Sequence, residues 1–193
     1  MSKIIGKYYH IYNRGAHKVP IFNDRDDYER FLHLMYISNN QGIIKYANLN
    51  FYNVYKIERG NRLVEIVAYC LMPNHYHIAI CEVVEGGITR FIHRLCTSYS
   101  MYFNYKYRHS GTIFQGPYKH KLVDDDNYLR YLIQYIHLNP FGIENPDVIK
   151  TAKKEYMNEA IKSSRKYKYS SFKDYLGENR DQRAIIDIKL GKA

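Results

Sequence analysis

The sequence predicts an α+β fold, a ferredoxin-like antiparallel sheet with helices packed on one face. β-rich runs at Lys7–Arg14, Val64–Met72 and His75–Glu82, helical apolar periodicity between and after them, and turn residues at the boundaries carry that reading. The 193 residues, 46% apolar, suffice for one core and leave little for a second. Residues 1–142 are therefore read as the principal domain and residues 143–193 as a C-terminal extension, partly helical, docked on that domain or flanking it.

Lys7–Arg14 (KYYHIYNR) alternates like a half-buried strand, and Asn13-Arg14-Gly15 is a turn signal. Asp24 can cap a first helix, in which Tyr28, Phe31, Leu32, Met35 and Tyr36 recur at helical spacing and Gly42 is a plausible stop. Residues 43–61 are irregular and tyrosine-rich, an extra strand or a loop. Val64–Met72 and His75–Glu82 read as two antiparallel strands joined tightly through Pro73-Asn74.

Ile88, Phe91, Ile92, Leu95, Tyr99, Tyr102 and Phe103 keep a helical period through a long second helix, ended by Gly111. Ile113–Val123 is extended. Asp124 or Asp125 then caps a third helix that finishes near Asn139, because Pro140 disfavours helical geometry in the residue before it. Beyond Gly142 the chain turns polar, with helix expected around Pro146–Ile161. Its Tyr167–Phe172 segment could dock on the core or touch a ligand.

The formal charge is +10 and unevenly spread. From Gly86 to Val123 there is no Asp or Glu, while Arg90, Arg94, Lys106, Arg108, Lys119 and Lys121 alternate with many aromatic rings. Cations interleaved with flat side chains suit single-stranded nucleic acid, whose phosphates seek charge and whose unpaired bases stack; a solvated basic face over an aromatic core is the bland alternative. Three cysteines without CxxC spacing suggest neither a disulfide framework nor a thiolate zinc site, which fits a reducing cytoplasm, with nucleoid association if DNA is the partner. The longest apolar run, Ile66–Met72, is far shorter than the roughly 20 residues of a membrane span, and the N-terminus lacks a secretory-type apolar stretch.

His75 and His77 stand two apart in a strand, so both imidazoles leave one face of the sheet and can hold a single divalent ion, although histidine is often an ordinary strand residue. On the third helix Tyr135 and Asn139 are one turn apart, on a face shared with Tyr128 and Tyr131, while Leu129, Leu132, Ile133 and Ile136 form the buried stripe. A tyrosine can attack a phosphodiester when a metal withdraws charge from the phosphate, with Asn139 adding an oxygen ligand. In a chain with 22 tyrosines, simple packing is the competing explanation.

Ala68-Tyr69-Cys70-Leu71-Met72-Pro73-Asn74-His75-Tyr76-His77 resembles the histidine-hydrophobe-histidine strand of the HUH endonucleases, and Tyr135-Ile136-His137-Leu138-Asn139-Pro140 resembles their nucleophile helix. The combination is similar in particular to the REP-associated tyrosine transposases, of the single-tyrosine HUH transposase superfamily. Tyr9–Gly15, Phe22, Phe114-Gln115 and Tyr169–Phe172 extend the likeness from Lys7 to about Tyr175.

The resemblance implies that residues 1–142 form a catalytic domain for DNA transposition and recombination, acting on single-stranded DNA at or near hairpins. It further implies that His75, His77 and Asn139 hold magnesium or manganese and that Tyr135 forms a 5′-phosphotyrosine. Single-tyrosine insertion-sequence relatives usually carry Gln where this chain has Asn139. His137 is a competing ligand, but it lies about 200° around the helix from Tyr135; Tyr131 and Tyr128 are fallback nucleophiles.

Along the DNA path the expected cations are Arg14, Arg90, Arg94, Lys106, Arg108, Lys119, His120 and Lys121. A homodimer would supply a second tyrosine for two-ended strand exchange, while a monomer suffices for cleavage. A catalytically silent nucleic-acid-binding module and a hydrolase using water are the alternative functions.

Overall fold

The structure, a computed structural model, describes residues 5–42, 51–144 and 156–187. β1 (Tyr8–Arg14), β2 (Val64–Met72), β3 (His75–Glu82) and β4 (Lys119–Val123) form one antiparallel sheet in the order β2-β3-β1-β4. With α1 (Arg25–Ser38) between β1 and β2 and α2 (Gly87–Tyr107) between β3 and β4, the connections are those of a ferredoxin-like βαββαβ unit. The α+β class and the antiparallel sheet agree with the sequence reading.

The helices, however, divide between the two faces. α1 and α2 pack on the face of Ile11, Tyr69, Leu71, Tyr76, Ile78 and Ile80. α3 (Asp126–Leu138) covers Val67, Cys70, Met72 and Ala79 with Leu129, Leu132, Ile133 and Ile136. β2 and β3 are buried along almost their whole length, and strands apolar on both faces need cover on both.

Helix boundaries follow local chemistry. Asp24 caps α1 by accepting from Asp27 N, and Asp125 caps α3 by accepting from Tyr128 N. α1 ends at Ser38 rather than running to Gly42: Asn39 turns away, its Nδ2 donating to Val64 O while its Oδ1 accepts from Leu63 N and Val64 N. α2 ends at Tyr107, before Gly111, with Arg108 making a left-handed turn at φ 50°. Asn139 keeps right-handed helical angles despite Pro140 and leads into α4 (Phe141–Glu144), with Gly142 N donating to Asn139 O.

Between α1 and β2 the described residues hold a 3-10 helix at Phe51–Lys56 and no strand; residues 43–50 lie outside the described ones. Extension occurs at Lys119–Val123, preceded by an isolated bridge between Phe114 and Gly15. Gly15 admits no side chain, since a Cβ there would meet Val19 O at 2.1 Å. In the extension, α5 (Met157–Lys166) is helical and residues 145–155 lie outside the described ones.

The Tyr167–Phe172 segment runs along β2. Leu71 N donates to Tyr169 O at 2.9 Å and Ser171 N to Tyr69 O at 3.0 Å, while Ser171 Oγ accepts from Tyr69 N. α6 (Phe172–Tyr175) follows, and Tyr175 Oη donates to Val67 O. Backbone groups on the outer side of β2 thus find partners within the chain. No helix among the described residues is long and apolar enough to cross a membrane.

Candidate functional site

In the β1–β3 register Tyr12 pairs with His77 and His10 with Ala79. Strand alternation therefore turns His10, Tyr12, His75 and His77 toward the same face, the one beneath α3. The ring of Tyr135 lies 5.5 Å from that of His77 and 6.1 Å from that of His10, edge-on in both cases. The His75 and His77 rings are 5.0 Å apart. Asn139, a turn beyond Tyr135, reaches His75 with its side chain and donates from Nδ2 to Tyr135 O at 3.3 Å. The four residues singled out as a site from the sequence meet on this face.

Burial decides the protonation of the imidazoles. It holds His77 well below its ordinary pKa, with His75 and His10 adding to the effect. His75 is also lowered by burial; the hydrogen bond with Asn139 opposes this and Arg14 reinforces it. His10 falls to about 4, through burial and then the charge of Lys121. All three rings are neutral near pH 7, the form that ligates metals.

The donor set has the chemistry of a divalent-ion site. His75 Nδ1 lies 2.7 Å from Asn74 Oδ1, which puts the ring proton on Nδ1 and leaves the Nε2 lone pair. His77 Nδ1 is 2.8 Å from His10 Nε2, so with the shared proton on His77 its Nε2 is likewise open. Asn139 Nδ2 donates to Tyr135 O and its side chain also bonds His75, so Oδ1 would exchange that bond for a cation. Two imidazoles and an amide oxygen fit magnesium or manganese with positions to spare, the imidazoles favouring manganese. Among the described residues no three His, Cys, Asp or Glu side chains group to hold a metal, and this set takes its third donor from an amide.

His137 points elsewhere: buried, its Nε2 is 2.8 Å from Ser171 Oγ, and its ring touches Phe172 and Tyr175. Tyr128 and Tyr131 stand along the same helix face as Tyr135, the rings of Tyr128 and Tyr131 being 6.2 Å apart and those of Tyr131 and Tyr135 6.4 Å.

A cleft of about 490 Å³ opens beside His75, lined in part by Tyr12, Arg14, Lys18, Gln115 and Lys119. Arg14 is hydrogen-bonded there to Gln115 Oε1. Lys119 and Lys121 oppose Tyr12 and His10 on β1 and share the site's face. His120 alternates to the other face, with its ring near Tyr9 and Tyr118.

The α2 cations are not brought to the site, because α2 packs on the opposite face of the sheet. Arg90 is exposed and donates to Glu85 O. Arg94 secures the chain after α1, donating to Asn40 O and Gly42 O. Lys106 pairs with Asp24 and the fully buried Asp27, and Arg108 sits exposed at the left-handed turn.

Sequence reasoning missed His10 and Lys18. For His10 the strand alternation of KYYHIYNR, set beside the HYH strand, carried the signal; Lys18 sits in a short turn at φ 64° that local pattern does not reveal.

A family model described as "Transposase IS200 like" matches residues 5–139. Among solved structures, the REP-associated tyrosine transposase bound to a REP hairpin is similar in fold, with a TM-score of 0.53 at 12% identity, covering 97% of this chain and 86% of that one. No curated protein sequence matches the chain.

Proposed function

The chain belongs to the IS200-like transposase family, and on that premise we propose that it is a metal-dependent single-stranded DNA endonuclease and strand transferase that works through Tyr135, at or near DNA hairpins, as the REP-associated branch would. The observation that carries the reading is the meeting of Tyr135 with His77, ring to ring at 5.5 Å, beside His75 and Asn139.

His75, His77 and Asn139 would hold magnesium or manganese, which supplies Lewis-acid chemistry by drawing charge from the scissile phosphate. Tyr135 Oη forms the new bond to phosphorus as the P–O3′ bond breaks, and its proton passes to solvent while the departing 3′ oxygen takes one up. A 5′-phosphotyrosine and a free 3′-hydroxyl result. One phosphodiester replaces another, so no ATP is consumed, and a 3′-hydroxyl attacking the phosphotyrosine reverses the step. Arg14, Lys18 and Lys119, around the cleft next to His75, would neutralise flanking phosphates. The hairpin bound by the solved relative supports a hairpin substrate here.

The test is to incubate the protein with single-stranded hairpin DNA and manganese and to look for a denaturation-resistant protein–DNA adduct. Wild type should form it and Tyr135→Phe should not. Binding without adduct by wild type would leave a silent binding module, and cutting that survives Tyr135→Phe would make the protein a hydrolase using water.

A further inference from the structure

Along one side of α3 three tyrosine rings stand in file, ending at Tyr135 beside the histidines. Tyr128 and Tyr131 are inclined by 18° at 6.2 Å, Tyr131 and Tyr135 by 20° at 6.4 Å. The i, i+3, i+7 spacing produces the row; Tyr128 and Tyr135 rest in part on the core beneath α3, and Tyr131 stands between them. Tyr131 is 56% exposed, in the middle of the row. A large ring left this open gains nothing for the core.

The row is flanked by charge. Lys121 Nζ lies 4.6 Å from the centre of the Tyr128 ring, and Lys119 and Lys121 stand on the same side of β4, the edge strand among the described residues. Aromatic faces in sequence beside regularly spaced cations are the two components of a single-strand track: rings take bases, cations take phosphates, and neither reads sequence. A duplex, its bases already stacked, has nothing to offer the rings.

We propose that Tyr131, with Tyr128 behind it and Lys119 and Lys121 alongside, is a base-stacking platform for the unpaired nucleotides adjoining the scissile phosphate at Tyr135. Tyr131 is thereby a binding residue rather than a reserve nucleophile. The inference rests on single-stranded DNA being the substrate, and it assigns the tyrosine row to the strand, Lys119 being shared with the cleft of Arg14 and Lys18.

The experiment measures binding of a fluorescein-labelled oligothymidylate and of a blunt duplex by anisotropy, without metal so that no cutting occurs. Tyr131→Ala should weaken oligothymidylate binding roughly 5- to 150-fold, the range for loss of one stacked base. Tyr131→Phe should stay within about 2-fold of wild type, because the ring suffices, and duplex binding should not change. Wild-type affinity in Tyr131→Ala, or equal losses in the Phe and Ala variants, overturns the platform.

Unchanged thermal unfolding of Tyr131→Ala, expected for an exposed side chain, separates binding from folding. If Tyr135 forms no adduct while Tyr131→Ala still loses single strand, the chemistry fails and the platform stands. Adduct formation with an unaffected Tyr131→Ala gives the reverse.

Discussion

His10 Nε2 lies 2.8 Å from His77 Nδ1, joining the first strand of the sheet to the candidate metal ligand on the third. For His77 Nε2 to face a cation, His77 Nδ1 must carry the proton and His10 must accept it. His10→Ala should therefore lower manganese affinity about 10- to 100-fold, as lost outer partners of ligating histidines do. Titration followed by the free-manganese paramagnetic signal reads this directly. His10→Gln, with an amide oxygen to accept, should recover part of the loss; wild-type affinity in His10→Ala would remove His10 from the site.

The two classes of cation should behave differently when neutralised. Lys119→Ala should reduce the salt dependence of DNA binding by about one phosphate contact and leave unfolding unchanged. Lys106→Ala should instead cost about 1–3 kcal/mol of stability, since Lys106 is 2.8 Å from the buried Asp27 carboxylate, with little change in salt slope. Parallel denaturant melts and salt titrations distinguish them; a lowered salt slope in Lys106→Ala would return α2 to the DNA path.

Acid should destabilise the fold through its buried histidines. Burial, then Arg180, pulls His137 down to about 3, and burial, then Lys121, pulls His10 down to about 4. The unfolded chain titrates these rings near 6.5. As pH falls below that value the unfolded state takes up protons first, so the stability present above about 6.5 is lost on the way down to the folded values. Each ring contributes up to about 1.4 kcal/mol per pH unit in that window. Urea midpoints at about pH 7.5 and about pH 5 should show the fall, and His137→Asn should flatten it; equal wild-type midpoints would contradict the buried neutral state.

Ser171 holds the C-terminal segment to the outer edge of β2. Its Oγ accepts from Tyr69 N at 2.9 Å and lies 2.8 Å from His137 Nε2. Ser171→Ala leaves both buried groups short of a partner and should cost about 1–3 kcal/mol. Faster hydrogen exchange at Tyr69 and Leu71 would localise the effect, and unchanged exchange would show that other contacts hold the segment.

Much of this was legible in the residues. Pro73-Asn74 separates two apolar runs, and β2 and β3 take the expected limits; Asp24 and Asp125 cap the helices they announce. The same apolar runs also signalled cover on both faces, an inference weaker than the alternation of β1 and overlooked beside it. What depends on register was only half legible: the alternation of KYYHIYNR puts His10 and Tyr12 on one face, while strand pairing sets which residues lie beside them. Arg94 and Lys106 looked like ligand-binding cations because a sequence shows charge without the carbonyl or carboxylate that claims it.

His137 gives the tail beyond Gly142 a mechanical meaning. The imidazole two residues past Tyr135 is wedged against Ser171, Phe172 and Tyr175, so the backbone that aims the phenol leans on side chains more than thirty positions downstream. A fragment stopping at Gly142 would retain Tyr135, His75, His77 and Asn139, yet lose the side chains against which α3 rests. The third helix and the tail thus share one packed junction at His137.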